Sequence, residues 1–60
     1  MKLAKDLVKG DKINGHEKGW IDVMSVKRIS DFYTEITLYY RATDTTKTDV
    51  YDKWSHFEMV

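Results

Sequence analysis

Phe32-Tyr33-Thr34-Glu35-Ile36-Thr37-Leu38-Tyr39-Tyr40-Arg41-Ala42-Thr43 is the stretch on which the fold turns. Successive side chains of a strand point to opposite faces. Ile36, Leu38, Tyr40 and Ala42 therefore share one face, and Tyr33, Glu35, Thr37, Tyr39 and Arg41 share the other. A period of two held over this length, in residues that favour pleated backbone, predicts one long half-buried strand. Such a strand does not stand alone in water, so the sheet around it must curl or pair to cover the Ile36 face.

Working upstream, Trp20 to Ile29 reads as a second strand, rich in β-branched and aromatic residues, but its alternation slips. Ile21 and Val23 have one parity and Val26 the other, which a β-bulge near Met24-Ser25 repairs while bending the strand. Ser30-Asp31 supplies the turn between these two strands. Before them, Asp11-Lys12-Ile13-Asn14 is a short strand. Asn14-Gly15 opens a polar loop that ends at Gly19, since both residues tolerate left-handed backbone. Met1 to Gly10 is a leading segment and turn whose apolar points are Ala4, Leu7 and Val8.

Downstream, Asp44-Thr45-Thr46 turns the chain, and Thr48-Asp49-Val50-Tyr51 and His56 to Val60 are predicted as two short strands around a turn at Asp52-Lys53. The alternative is a C-terminal helix, because Val50, Trp54 and Phe57 recur at helical spacing. The expected fold is all-β, a small five-strand barrel occupying residues 1–60 as a single domain. The alternative is α+β, a curled antiparallel sheet with that helix.

Asp6-Leu7-Val8-Lys9-Gly10-Asp11-Lys12-Ile13 resembles a recurrent opening of Src-homology-3-like small barrels: a turn carrying Leu, then Gly-Asp, then a strand beginning on an aliphatic residue. The hairpin of Trp20 to Ile29 with the long strand after it is similar to the bent central hairpin of that family. The peptide-binding members use aromatics beside acidic loops and a Pro-containing strand. This chain has no Pro, so their ligand groove is not carried over. Short, Lys-rich, cysteine-free chains of this kind also resemble small accessory proteins encoded by bacteriophages.

At 60 residues a folded chain buries only about 60% of the surface its unfolded form exposes, which leaves a thin stability margin. Without cysteine, neither disulfides nor thiolate zinc sites supplement the core. Apolar residues at 42% and aromatics at 13% are enough for packing and argue against disorder. No apolar run approaches the roughly 20 residues of a membrane span, and the charged start lacks the apolar core of a signal peptide. A cytoplasmic protein is the expectation. The net charge is zero, with seven basic residues against four acidic in 1–30 and three against six in 31–60.

His16 and His56 lack metal-ligand spacing, even with Asp11, Asp22 or Asp52 as co-ligands. Ser55 and His56 are neighbours and would point to opposite faces of a strand. Gly10, Gly15 and Gly19 do not form a phosphate loop. The expectation is therefore a non-catalytic protein without cofactor or metal. Exposed aromatics are the better lead. Trp20, Tyr33, Tyr39, Arg41 and Trp54 are the candidate contacts for a protein partner or for self-association. The alternative is nucleic acid, with Lys9, Lys12, Lys18, Lys27 and Arg28 meeting phosphates and Tyr33 and Tyr39 stacking on bases. Clustering of the lysines on one face would favour nucleic acid, and their dispersal would favour protein.

Overall fold

The computed structural model describes residues 1–60. Six strands appear in chain order: β1 (Lys2–Leu3), β2 (Lys12–Asn14), β3 (Trp20–Arg28), β4 (Tyr33–Tyr40), β5 (Thr45–Asp52) and β6 (His56–Phe57). The only helical elements are two three-residue 3-10 turns, Ala4–Asp6 and His16–Lys18. The fold is all-β. β2, β3, β4 and β5 form an antiparallel meander in that order, and β1 pairs with β6 in a separate two-stranded sheet. The ladders do not close into the five-strand barrel expected from the sequence, because β5 pairs with β4 alone and β1 with β6 alone.

β4 places Thr34, Ile36 and Leu38 inward as the alternation predicts, and Tyr40 lies half-buried on the same face. It stops at Tyr40 rather than running to Thr43. The turn occupies Arg41–Asp44, and β5 starts at Thr45, within the segment expected to turn. Two local facts explain the shift. Asp44 adopts φ 51°, which Asp tolerates better than most side chains. The Tyr40–Thr45 pair then closes a four-residue loop, leaving Ala42 exposed.

β3 carries the expected irregularity. Its register against β4 shifts between Val23 and Ser25, after which Val26 stands opposite Ile36. Without the bulge Val26 would face outward. With it, Val26 packs against the core formed by Ala4, Leu7, Ile13, Ile21, Val23, Ile36 and Leu38. Ile36 and Val23 are the largest fully buried side chains. No buried side-chain polar atom lacks a partner.

The C-terminal residues form strands and a turn rather than a helix. β5 runs straight through Val50, the chain turns at Lys53-Trp54, and Phe57 in β6 meets the Tyr51 ring edge-on at 5.2 Å. Val50 and Trp54 are exposed, so their helical spacing with Phe57 marks no common face.

After β6 the chain continues along β2. Asn14 N–H donates to the Glu58 carbonyl at 2.7 Å, Val60 N–H donates to the Lys12 carbonyl at 3.1 Å, and Met59 bridges Ile13. The glycine-bounded loop below this edge is closely packed. A Cβ at Gly15 would stand 2.5 Å from the Gly19 carbonyl oxygen. On the other side of the sheet, residues 41–50 are exposed without exception.

Candidate functional site

The outer face of the meander begins with Trp20. Because Ile21 points into the core, Trp20 and Asp22 point out, and the register sets Asp22 opposite Tyr39. Arg41, just beyond the end of β4, reaches back over this pair. Its Nε donates to Asp22 Oδ2 at 2.8 Å, and its guanidinium carbon lies 5.5 Å from the Trp20 ring centre. Lys12 Nζ lies 4.9 Å from the same centre. Two cations therefore flank one indole, a favourable arrangement with the ring's negative π-faces. Tyr39 donates its hydroxyl to Asp44 Oδ1 at 2.5 Å.

These contacts set the protonation behaviour of the cluster. The Tyr39 phenol is pushed up chiefly by its hydrogen bond to Asp44, with burial and the Asp44 charge adding to the shift. The Arg41 guanidinium is held charged even more firmly by its hydrogen bond and charge pairing with Asp22.

Of the five aromatic and basic residues expected to make one partner surface, the structure brings three together and separates two. Trp20, Tyr39 and Arg41 form the cluster just described. Tyr33 shares the outer face, but six residues along β4 place it roughly 20 Å from Tyr39 at the usual rise of a strand. Its ring packs edge-on against Phe32 at 5.0 Å. Lys53 Nζ lies 5.7 Å from the Phe32 ring and 5.2 Å from the Trp54 ring, and Lys5 approaches Trp54 at 5.3 Å. Tyr33 and Trp54 thus belong to a second aromatic cluster at the far end of the sheet.

The basic residues considered for nucleic acid do not form a stripe. Lys12 and Lys27 have outward parity, Lys27 standing opposite Glu35, whereas Arg28 stands opposite the buried Thr34. Lys9 is in the exposed turn before Gly10. Lys18 faces the inner side, where it and Lys47 lie 6.0 and 5.8 Å from the Tyr40 ring centre. With Ala42, Thr43 and Thr45 these three line a shallow hollow of about 330 Å3. The alternation of β4 placed Tyr40 on this inner face, but nothing in the sequence singled out Lys47 beside it. Only the β4–β5 register, which sets Lys47 beside Leu38 on the inner face, could have revealed it.

Several of the acidic and histidine side chains are occupied locally. His16 Nε2 meets Glu58 Oε2 at 2.5 Å and ties the glycine-bounded loop to the C-terminal segment. Asp11 accepts from Val8 N–H and from Lys2 Nζ, each at 3.0 Å. The Val8 bond is the main reason that its carboxyl is held below the ordinary value, with Lys2 second. Asp52 accepts from Trp54 N–H and Ser55 Oγ and shapes the β5–β6 turn. No three of the His, Asp and Glu side chains converge as a metal-binding group, and no helix is long and apolar enough to cross a membrane.

The remaining feature is the β5 edge. Thr45 to Val50 are exposed on both faces, although the strand is rich in β-branched residues and fully paired to β4 along its other side. No family model matches the chain, and no curated protein or solved structure matches it significantly.

Proposed function

We propose that this chain is a non-catalytic protein-interaction module acting through its sheet edge and exposed aromatic surface. One observation carries the reading: an eight-residue strand, β5, has a free backbone edge whose residues Thr45–Val50 lie open to water on both faces. Unpaired strand edges are templates for β-addition, in which backbone hydrogen bonds supply affinity and alternate side chains supply selectivity. The Trp20–Arg41–Tyr39 cluster gives the outer face an aromatic anchor of the residue types that dominate binding hot spots.

The finer resemblance, an open version of the Src-homology-3-like barrel in a bacteriophage accessory protein, belongs to the same proposal. The bulged, bent β3 and the Leu7, Gly10-Asp11, Ile13 opening support it. A nucleic-acid role is the second reading. Dispersal of Lys12, Lys18, Lys27 and Arg28 over two faces weighs against it, and Lys18 and Lys47 beside the Tyr40 ring favour it.

A photo-crosslinking residue placed at Thr48 on the edge, and separately at Lys27 on the outer face, tests the reading in living cells. Protein-containing adducts concentrated at position 48 are expected. Adducts to nucleic acid alone, or none at either position, would remove the interaction-module reading.

A further inference from the structure

The two edges of the meander differ in a way that identifies an occupant for the open one. The chain seals its own β2 edge with Glu58–Val60, and it provides no segment for the β5 edge from Thr45 to Val50. On that edge Lys47 and Asp49 have the same parity, facing the side on which Leu38 and Ile36 are buried. Thr46, Thr48 and Val50 face the opposite side.

We propose that β5 pairs antiparallel with β5 of a second copy of this chain about a two-fold axis at Thr48, making one continuous eight-strand sheet. The inference rests on the interaction-module reading and names its partner. Charge selects this register. In a symmetric antiparallel pair one residue stands opposite itself, and the others are paired at equal distances on either side. With Thr48 opposite Thr48 of the second copy, Lys47 stands opposite Asp49 twice over, and Thr46 stands opposite Val50. Centring the axis on Lys47 or on Asp49 sets like charges face to face. Centring it on Val50 sets Lys47 against Lys53. Like charges directly opposite are unfavourable and opposite charges favourable, so of these registers only the one centred on Thr48 gives Lys47 and Asp49 opposite partners. It also sets Asp52 opposite Asp44, which lies outside the strand and accepts from the Tyr39 hydroxyl.

Charged residues pointing inward on an edge strand also occur as guards against pairing. A guard works because pairing would bury its charge without a partner. Lys47 and Asp49, two residues apart and opposite in sign, supply that partner to each other across a symmetric pair. Thr and Val at the remaining positions suit a pleated ladder, and the 7.1 kDa chain, with its small core, gains the cross-strand burial that its own length does not supply.

Sedimentation equilibrium of the full chain from micromolar to about millimolar concentration tests the proposal, run with three variants. The unaltered chain is expected to reach twice its monomer mass. Lys47→Glu and Asp49→Lys should each weaken dimerisation roughly tenfold, since two symmetry-related pairs turn repulsive together. The double variant should recover. An equimolar mixture of the two single variants should form a mixed dimer more tightly than either variant pairs with itself, because the Lys47 and Asp49 positions in the mixture again face each other with opposite sign. Circular dichroism of the single variants should match that of the unaltered chain, since both side chains are exposed.

A strict monomer, or single variants that dimerise as well as the unaltered chain, would overturn the pairing. If that monomer still gives protein adducts at position 48 in cells, the interaction-module reading stands and the edge takes a different chain. If it gives none, both fall.

Discussion

The two edges of one small sheet are built on opposite plans. β2 has three residues, Ile13 at its centre is 5% exposed, and its free side is covered by the returning C-terminus. β5 has eight residues, Val50 is 55% exposed, and its free side meets water. Strand propensity does not distinguish them, because β5 is the richer in Thr and Val. Covering does. The short edge is held by tertiary contacts, whereas the long one is held by its ladder to β4 and by Tyr51, whose half-buried ring meets Phe57. Burial also pushes the Tyr51 phenol up. Local stability should therefore fall from the β2 side to the β5 side.

The sharpest way to break this comparison is to truncate one aliphatic residue on each edge. Ile13→Ala should cost about 2–5 kcal/mol in denaturant unfolding, the range for a buried large-to-small change. In a domain with so thin a margin that loss should leave a large unfolded population in water. If Ile13→Ala proved nearly silent, the sealed edge would not be the stable one.

Next in size, Gly15→Ala tests the close packing below β2. The added Cβ would meet the Gly19 carbonyl at 2.5 Å and the Ile21 Cδ1 at 3.0 Å, and backbone cannot yield as a flexible side-chain tip can. A cost of about 1–3 kcal/mol is expected, read as a lowered denaturation midpoint with an unchanged slope.

Asp11→Asn sharpens the same side through pH. The folded carboxyl is held low by the Val8 N–H and then by Lys2. Its contribution is therefore complete above the ordinary carboxylate pKa of about 4, and is lost as pH falls through the lowered folded value. The variant should lose roughly 1 kcal/mol at neutral pH, with Lys2 partly exposed to solvent. Its stability should decline less steeply than that of the unaltered chain below about pH 4. Parallel acid limbs would show that Asp11 does not hold the turn.

Smallest of all, Val50→Ala on the open edge should stay within about 0.5 kcal/mol of the unaltered monomer, as exposed substitutions do. A core-sized loss there at low protein concentration would mean that β5 is already covered within one chain.

Much of this was legible in the sequence because it is local. The inward set Ile36, Leu38 and Tyr40 follows from a period of two, and the Val26 slip identifies the bulge without reference to any other strand. What was not legible depends on pairing. Tyr33 and Tyr39 share a parity, yet lie at opposite ends of β4 in different clusters. Arg41 comes to Trp20 only because Asp22 is registered against Tyr39. The Val50, Trp54 and Phe57 spacing left a helix open as the alternative to the two strands that form, because spacing alone cannot tell one helical face from a strand, a turn and a strand. Closure into a barrel was inferred from layout, but it depends on whether β5 meets β1, a contact between the two ends of the chain that no local pattern encodes. The self-complementary signs of Lys47 and Asp49 acquire meaning only once β5 is known to be an edge.

Amide hydrogen exchange on the full chain, compared at micromolar and near-millimolar concentration, tests the open edge and its occupant most directly. At low concentration the alternate amides of β5 that point away from β4 should exchange fast, while those of β4 remain protected. At high concentration the same β5 amides from Thr46 to Val50 should slow markedly, with β2 and β3 unchanged. Exchange at Thr46 to Val50 that does not depend on concentration, whether fast or slow throughout, would contradict pairing of this edge with a second copy.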